Sequence, residues 1–265
     1  MNQIEKKMLE VLRELKDEYG VIAIKAEFEA EGSRKDELVK LNEIVFRADM
    51  DLIIKIGGCE AVRDLDQCRL LGATGIMAPM IETPFAMKKF VSAARNVYKE
   101  ECENVEWIIN TETKTCRENL DEILKEGEGF LDTIAIGRVD LSASMGLGRA
   151  EINSDIIMDA ARDFAKRAKA KGLRVGFGGG ISYDAIPFIQ GMAGLADKFE
   201  TRKVVFSYTD DTAHLQQGIL KAMEFECLYL QNKCELYDRM ASEDSGRMRM
   251  LKERIALAKD TLGMQ

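Results

Sequence analysis

The chain has 265 residues, enough for one large α/β domain, and its 46 acidic against 38 basic residues give a net charge of −8, which argues against nonspecific binding to nucleic acid or to an anionic membrane. No run approaches the roughly 18 to 20 apolar residues of a membrane span, and the opening MNQIEKKMLEVLRELKDEYG reads as a charged amphipathic helix rather than a signal peptide, so the expected location is the cytoplasm. The six cysteines (Cys59, Cys68, Cys102, Cys116, Cys227 and Cys234) form no CxxC pair and have no histidine nearby; they are expected to be reduced, structural thiols.

Along the chain, apolar strand-like runs alternate with helix-periodic stretches, the signature of a parallel sheet with crossover helices. Strands are expected at 21–29, 51–58, 75–81, 105–112, 132–140, 174–179 and 203–208. Helices are expected near 34–48, 60–71, 83–99, 115–126, 153–171 and 183–194, with Thr83-Pro84 and Ser182 as starts. These are seven strands where a closed barrel wants eight: the first strand is lost, one around residues 190–200 escapes the pattern, or the sheet is open. The expected fold is a TIM-type (β/α) barrel over residues 1–210, with an N-terminal helix and a helical extension over 211–265. In that extension Leu215, Ile219, Met223, Cys227 and Leu230 recur at helical spacing, so one face is buried on the barrel or on a neighbouring subunit of a homo-oligomer. A polar break is expected at SEDSG (242–246), followed by a final charged helix. Cys227 and Cys234 share one helical face and read as packing residues.

Two acids stand at the ends of consecutive strand-like runs, Glu112 in WIINTE and Asp140 in IAIGRVD. Carboxylates placed at the C-terminal ends of neighbouring strands are how a barrel assembles a hard-cation site. The bland reading is that each caps a following helix. Amides of Leu141, Ser142, Ala143 and Ser144, in a glycine-flanked segment, are candidates to hold a substrate carboxylate at a helix start. The run GFGGGIS (176–182) reads either as a tight strand-to-helix turn or as a phosphate cradle. Glu82 reads as a residue of the pocket edge or helix start, with Thr83 as the cap, and the single histidine, His214, as a surface or partly buried residue.

The segment GRVDLSASMG (137–146) resembles GPADLSASLG of the HpcH/HpaI aldolase and citrate lyase family, with seven of ten positions identical. TETKTCRENLDEIL (111–124) is similar to its VESKTALDNLDEIL, and GATGIMAPMIETPFAM (72–87) to its GAQTLLVPMVQNADEA, so the likeness spans about residues 25–210. The resemblance implies a metal-dependent enzyme of pyruvate-enolate chemistry, with Glu112 and Asp140 as ligands to Mg2+ or Mn2+. It also implies departures. The family's DGEHAP, with its histidine, corresponds to AEFEAEGS (26–33), so Glu27 or Glu29, a bound water or the substrate must move the proton. The family arginine corresponds to Lys55, which supplies charge without a bidentate fork.

The expected reaction is carbon-carbon cleavage or aldol condensation of a 2-oxo acid, with an aldehyde as second substrate. Schiff-base chemistry at Lys25 or Lys55 is an alternative mechanism. An acyl-CoA or phosphorylated substrate, or a carboxylate-binding descendant without catalysis, are the alternative functions.

Overall fold

The alternating elements close into one barrel. The computed structural model describes the backbone of residues 1–262 and the side chains of residues 1–256. Helix α1 (Gln3–Tyr19) starts at Asn2, whose side chain accepts the Glu5 N–H while Glu5 accepts the Asn2 N–H; it stops at Gly20 in a left-handed conformation. Then come β1 (Val21–Glu27), α2 (Lys35–Arg47), β2 (Asp51–Lys55), α3 (Val62–Leu70), β3 (Gly75–Ala78), α4 (Pro84–Tyr98), β4 (Glu106–Thr111), α5 (Lys114–Glu118) and α6 (Leu120–Glu126). They are followed by β5 (Thr133–Gly137), α7 (Arg138–Ser144), α8 (Asp155–Lys169), β6 (Arg174–Gly178), α9 (Ile186–Gly191), β7 (Lys198–Glu200), β8 (Val204–Ser207) and α10 (Thr212–Leu262).

Strands β1 to β7 are parallel and neighbour one another in chain order, while β8 runs antiparallel to both β7 and β1 and completes the ring. The strand missing from the sequence reading is β7. Only three residues long with charged ends, it carries too little apolar pattern to be seen. It joins β8 through a tight turn in which the Thr201 hydroxyl accepts the Val204 N–H. That connection is too short for a crossover, so the last strand is reversed.

Alternation along the strands sorts the side chains into layers. Ala23, Ile53, Met77, Ile108, Ala135 and Val205 point inward and form a small apolar plug. Ile24, Ile54, Ile76, Ile109, Ile134 and Val175 belong to the larger core between strands and helices, each such burial being favourable by about 1.5–3 kcal/mol. Two residues beyond the plug toward the strand C-termini, the inward positions become Lys25, Lys55, Asn110 and Gly137.

Two expectations for the C-terminal region are corrected. The break at 242–246 is absent and α10 is one unbroken helix, because isolated Ser and Gly residues cost at most about 1 kcal/mol each inside a helix and do not by themselves end it. The buried face is made by Leu215, Ile219, Ala222, Phe225, Leu228 and Tyr229, partly against α1, while Met223, Cys227, Leu230 and Cys234 are exposed. The chain keeps the 3.6 period but turns a neighbouring row toward the barrel. No helix among the described residues is long and apolar enough to cross a membrane.

All six thiols are free, and burial pushes the Cys116 thiol up to about 12. Titration of the native protein with a thiol reagent at pH 8 is expected to leave Cys68 and Cys116 unmodified until the chain unfolds. Fast labelling of Cys116 in folded protein would contradict this packing.

Candidate functional site

At the C-terminal ends of the parallel strands lies a cavity of about 350 Å³ bordered by Lys25, Glu27, Glu29, Lys55, Asn110, Glu112, Asp140, Arg149, Glu200 and Arg202, together with Gly137 and Gly178 to Gly180. Strand β1 contributes Lys25 and Glu27, and the bend after it brings Glu29 back over β2. Lys55 ends β2, with its ammonium 3.0 Å from Glu29 and 3.8 Å from Glu112. Lys25 lies 2.5 Å from Glu200 and 3.4 Å from Glu27. The expected inward pair Glu27 and Glu29 thus shares the cavity, each acid against a different lysine.

Glu112 follows β4 directly and is 1% exposed. One oxygen accepts the Asn110 side-chain amide at 2.7 Å and the other the Met80 N–H at 3.2 Å. Met80 reaches it from a left-handed backbone conformation (φ 52°) that non-glycine residues seldom adopt. Thr113, not Glu112, caps α5, its hydroxyl accepting the Cys116 N–H. Thr83 caps α4 in the same way, and Glu82 lends its carbonyl to Asn119.

Asp140 departs from the sequence reading in its local structure. Strand β5 ends at Gly137, and Asp140 is an exposed residue in the first turn of α7. The helix therefore begins three residues earlier than the proposed amide cradle. Leu141 and Ser142 are buried within it, and the Ser144 hydroxyl accepts the Lys114 N–H and donates to the Leu141 carbonyl. None of Leu141, Ser142, Ala143 or Ser144 borders the cavity; the first-turn amides, free of intrahelical partners, belong to Arg138, Val139 and Asp140.

The electrostatics follow from burial and pairing. Burial disfavours the charge on Lys25, but Glu200 and Glu27 outweigh it and hold that ammonium above the ordinary lysine range. Lys55 is likewise raised against its burial by Glu112, Glu29 and Glu27. For Glu112 burial wins: its carboxyl is raised above the usual range although Lys55, Asn110 and the Met80 amide favour the charged form, and Asp140 adds to the rise. Each lysine thus favours folding most below its ordinary pKa, and that contribution fades as pH climbs through the raised value.

Sequence reasoning missed Glu200, which belongs to the unseen β7, and the buried Arg138. Arg138 donates to the carbonyls of Gly178 and Gly179 and to Asn153, and lies 4.4 Å from the Phe188 ring centre. It ties the GFGGGIS turn to α7, which favours the turn reading of that run. His214 stands apart from the site, on α10 beside Tyr19.

The segment from 32 to 177 matches the model of the HpcH/HpaI aldolase/citrate lyase family, more than half of the chain. The chain belongs to this family. No curated protein sequence matches it. Among solved structures, an HpcH/HpaI aldolase from Desulfitobacterium hafniense DCB-2 superposes with a TM-score of 0.60 at 16% identity, over 82% of this chain and 87% of that one. The citrate synthase SbnG gives 0.57 at 17% identity, over 83% and 88%. A family protein from Burkholderia cenocepacia J2315 gives 0.55 at 15%, over 82% and 98%. At such identities these likenesses speak for the fold. The family match includes Lys55, Glu112 and Asp140 and excludes Glu27, Glu29 and Glu200.

Two glycines make room for the acids. A Cβ on Gly137 would stand 2.8 Å from the Glu112 Cβ, and one on Gly178 would stand 2.7 Å from the Glu200 Cγ. Gly137→Ala is expected to displace Glu112 and to cost about 1–3 kcal/mol in denaturant unfolding, as overpacking of a buried site does; an unchanged unfolding midpoint would show that Glu112 is free to move.

Proposed function

We propose that this chain is a divalent-metal-dependent carbon-carbon lyase of the class II aldolase type, acting on a 2-oxo acid through a pyruvate-like enolate, with an aldehyde as the second substrate. The observation that carries the reading is that Glu112 and Asp140, which stand in the family's ligand places, border one cavity with Asn110. The Asn110 side-chain oxygen is a buried acceptor without a partner. Two carboxylates and an amide oxygen are a hard donor set that suits Mg2+ or Mn2+. Among the described residues no three Asp, Glu, His or Cys side chains are placed to hold an ion by themselves. Water and the substrate must then complete the coordination, as is usual for Mg2+. When bound, such an ion supplies Lewis-acid stabilisation of negative charge on the 2-oxo acid.

The remaining roles fall to the chain's own groups. Lys55, desolvated and kept charged, is placed to hold a developing enolate or carbonyl oxygen. Glu29 is more solvent-accessible than Glu27 and touches Lys55 rather than Lys25, which fits it to position water or move a proton in place of the absent histidine; Glu27 is its neighbour in that task. The raised ammonium of either lysine speaks against a Schiff base, since a protonated amine is not a nucleophile. A second reading, a phosphorylated or acyl-CoA substrate, is favoured by Arg149. This exposed cation borders the cavity and makes no ion pair among the described residues.

NMR detection of pyruvate C3 proton exchange into deuterated water tests the proposal. Exchange is expected with Mg2+ or Mn2+, to vanish on chelation, and to fall at least about 100-fold in Asp140→Ala. Borohydride with pyruvate is expected to trap no adduct on Lys25 or Lys55. Protein that binds Mn2+ but exchanges no protons would sink the enolate chemistry, and full Mn2+ affinity in Asp140→Ala would sink the ligand assignment.

A further inference from the structure

The last helix carries an apolar seam that no described element covers. On its barrel-bound half, Leu220, Met223, Cys227, Leu230 and Cys234 are exposed, beside the row that is buried on the barrel and α1. Their spacing alternates three and four. The same alternation passes through Tyr237, the one seam position held against α2, to Ala241, skips Asp244, and resumes at Met248, Leu251 and Ile255. A strict three-four repeat marks the seam of a two-stranded coiled coil, narrower than the stripe a helix needs to lie on a globular core.

The outer half of α10 stands free. Its last side-chain bonds to another element come from Lys233 and Tyr237, both to Glu37 at the start of α2. Beyond Tyr237 no described side chain makes a hydrogen bond or ion pair with the barrel, and Met248, Leu251 and Ile255 are 52%, 43% and 56% exposed. Most helical stability in proteins comes from packing of an amphipathic face, and this half has no such packing among the described residues. Glu37 and Lys203, whose ammonium sits 4.3 Å from the Tyr229 ring centre, lie at the cavity end of the barrel, so the free half projects from that end.

Charge indicates what covers the seam. Residues 224–244 hold six acids against two bases, a net of −4, whereas residues 246–256 hold four bases against one acid, a net of +3. A parallel copy would set like charge against like, and an antiparallel copy sets each basic end on the other's acidic stretch. We propose that the projecting half of α10 pairs antiparallel with the same helix of a second copy of this chain, as a two-stranded coiled coil.

Sedimentation velocity on the full chain at micromolar concentration tests the pairing. The expected particle contains an even number of 29.8 kDa chains. Its mass falls in Leu251→Glu/Ile255→Glu, with the barrel's heat-unfolding transition retained as a check on folding. Lys252→Glu/Arg254→Glu is expected to weaken association at least about tenfold in Kd, and adding Glu235→Lys/Asp238→Lys to restore it, a rescue that a merely structural role of these exposed residues would not give. A monomeric native chain, a particle unaffected by the seam variant, or rapid oxidative cross-linking of Cys234 to the partner's Cys234, which only a parallel pair allows, would each overturn the proposal.

Discussion

Space inside the barrel governs the rest of the molecule. An eight-stranded barrel is only wide enough to be filled by its own side chains, and here the filling changes character along the axis. The apolar plug around Ile53, Met77 and Ile108 fills the middle, and directly beyond it come two lysines and their carboxylates. Those carboxylates fit because the facing strand positions carry no side chain: Gly137 stands against Glu112 and Gly178 against Glu200. The glycines and the acids are therefore one device. Each buried lysine and carboxylate of this layer has an opposite charge within 4 Å, which is what lets it survive removal from water.

The pairing has a chemical side. A lysine surrounded by acids remains a cation over the whole physiological range, so in the proposed reaction it would act as fixed charge and not as an amine. A carboxyl as enclosed as Glu112 feels the opposite pressure, with burial working against its negative form. It is held by an amide from its own strand and by the backbone of Met80. The site is thus preorganised at the expense of a strained backbone turn at Met80, a pattern that concentrates where function requires geometry.

Much of this was legible from the residues. Long apolar runs gave six of the parallel strands, and the Thr83 cap was marked by the following proline. The motif around Asp140 pointed to the family that the match over residues 32–177 establishes. What escaped had weak local signals. Strand β7 is too short to show a period, so Glu200 was invisible with it. Asp140 was read on a strand because IAIGRVD continues the apolar alternation, and only the tertiary contacts of Arg138 with the Gly178 and Gly179 carbonyls show why the helix begins so early. The side of α10 that packs on the barrel could not be chosen from spacing, since two neighbouring apolar rows satisfy the same period.

The reversed last strand has a consequence for how the molecule is made. Because β8 pairs with both β7 and β1, the two edges of the growing sheet stay open until residues 204–207 have left the ribosome. Until then β1 and β6 or β7 present unsatisfied backbone groups to any other strand that comes near. Ring closure joins residues at opposite ends of the barrel sequence, so it is a late, high-entropy step. A nascent or truncated chain lacking β8 would be an open, adhesive sheet, and this single four-residue strand separates that species from the finished barrel.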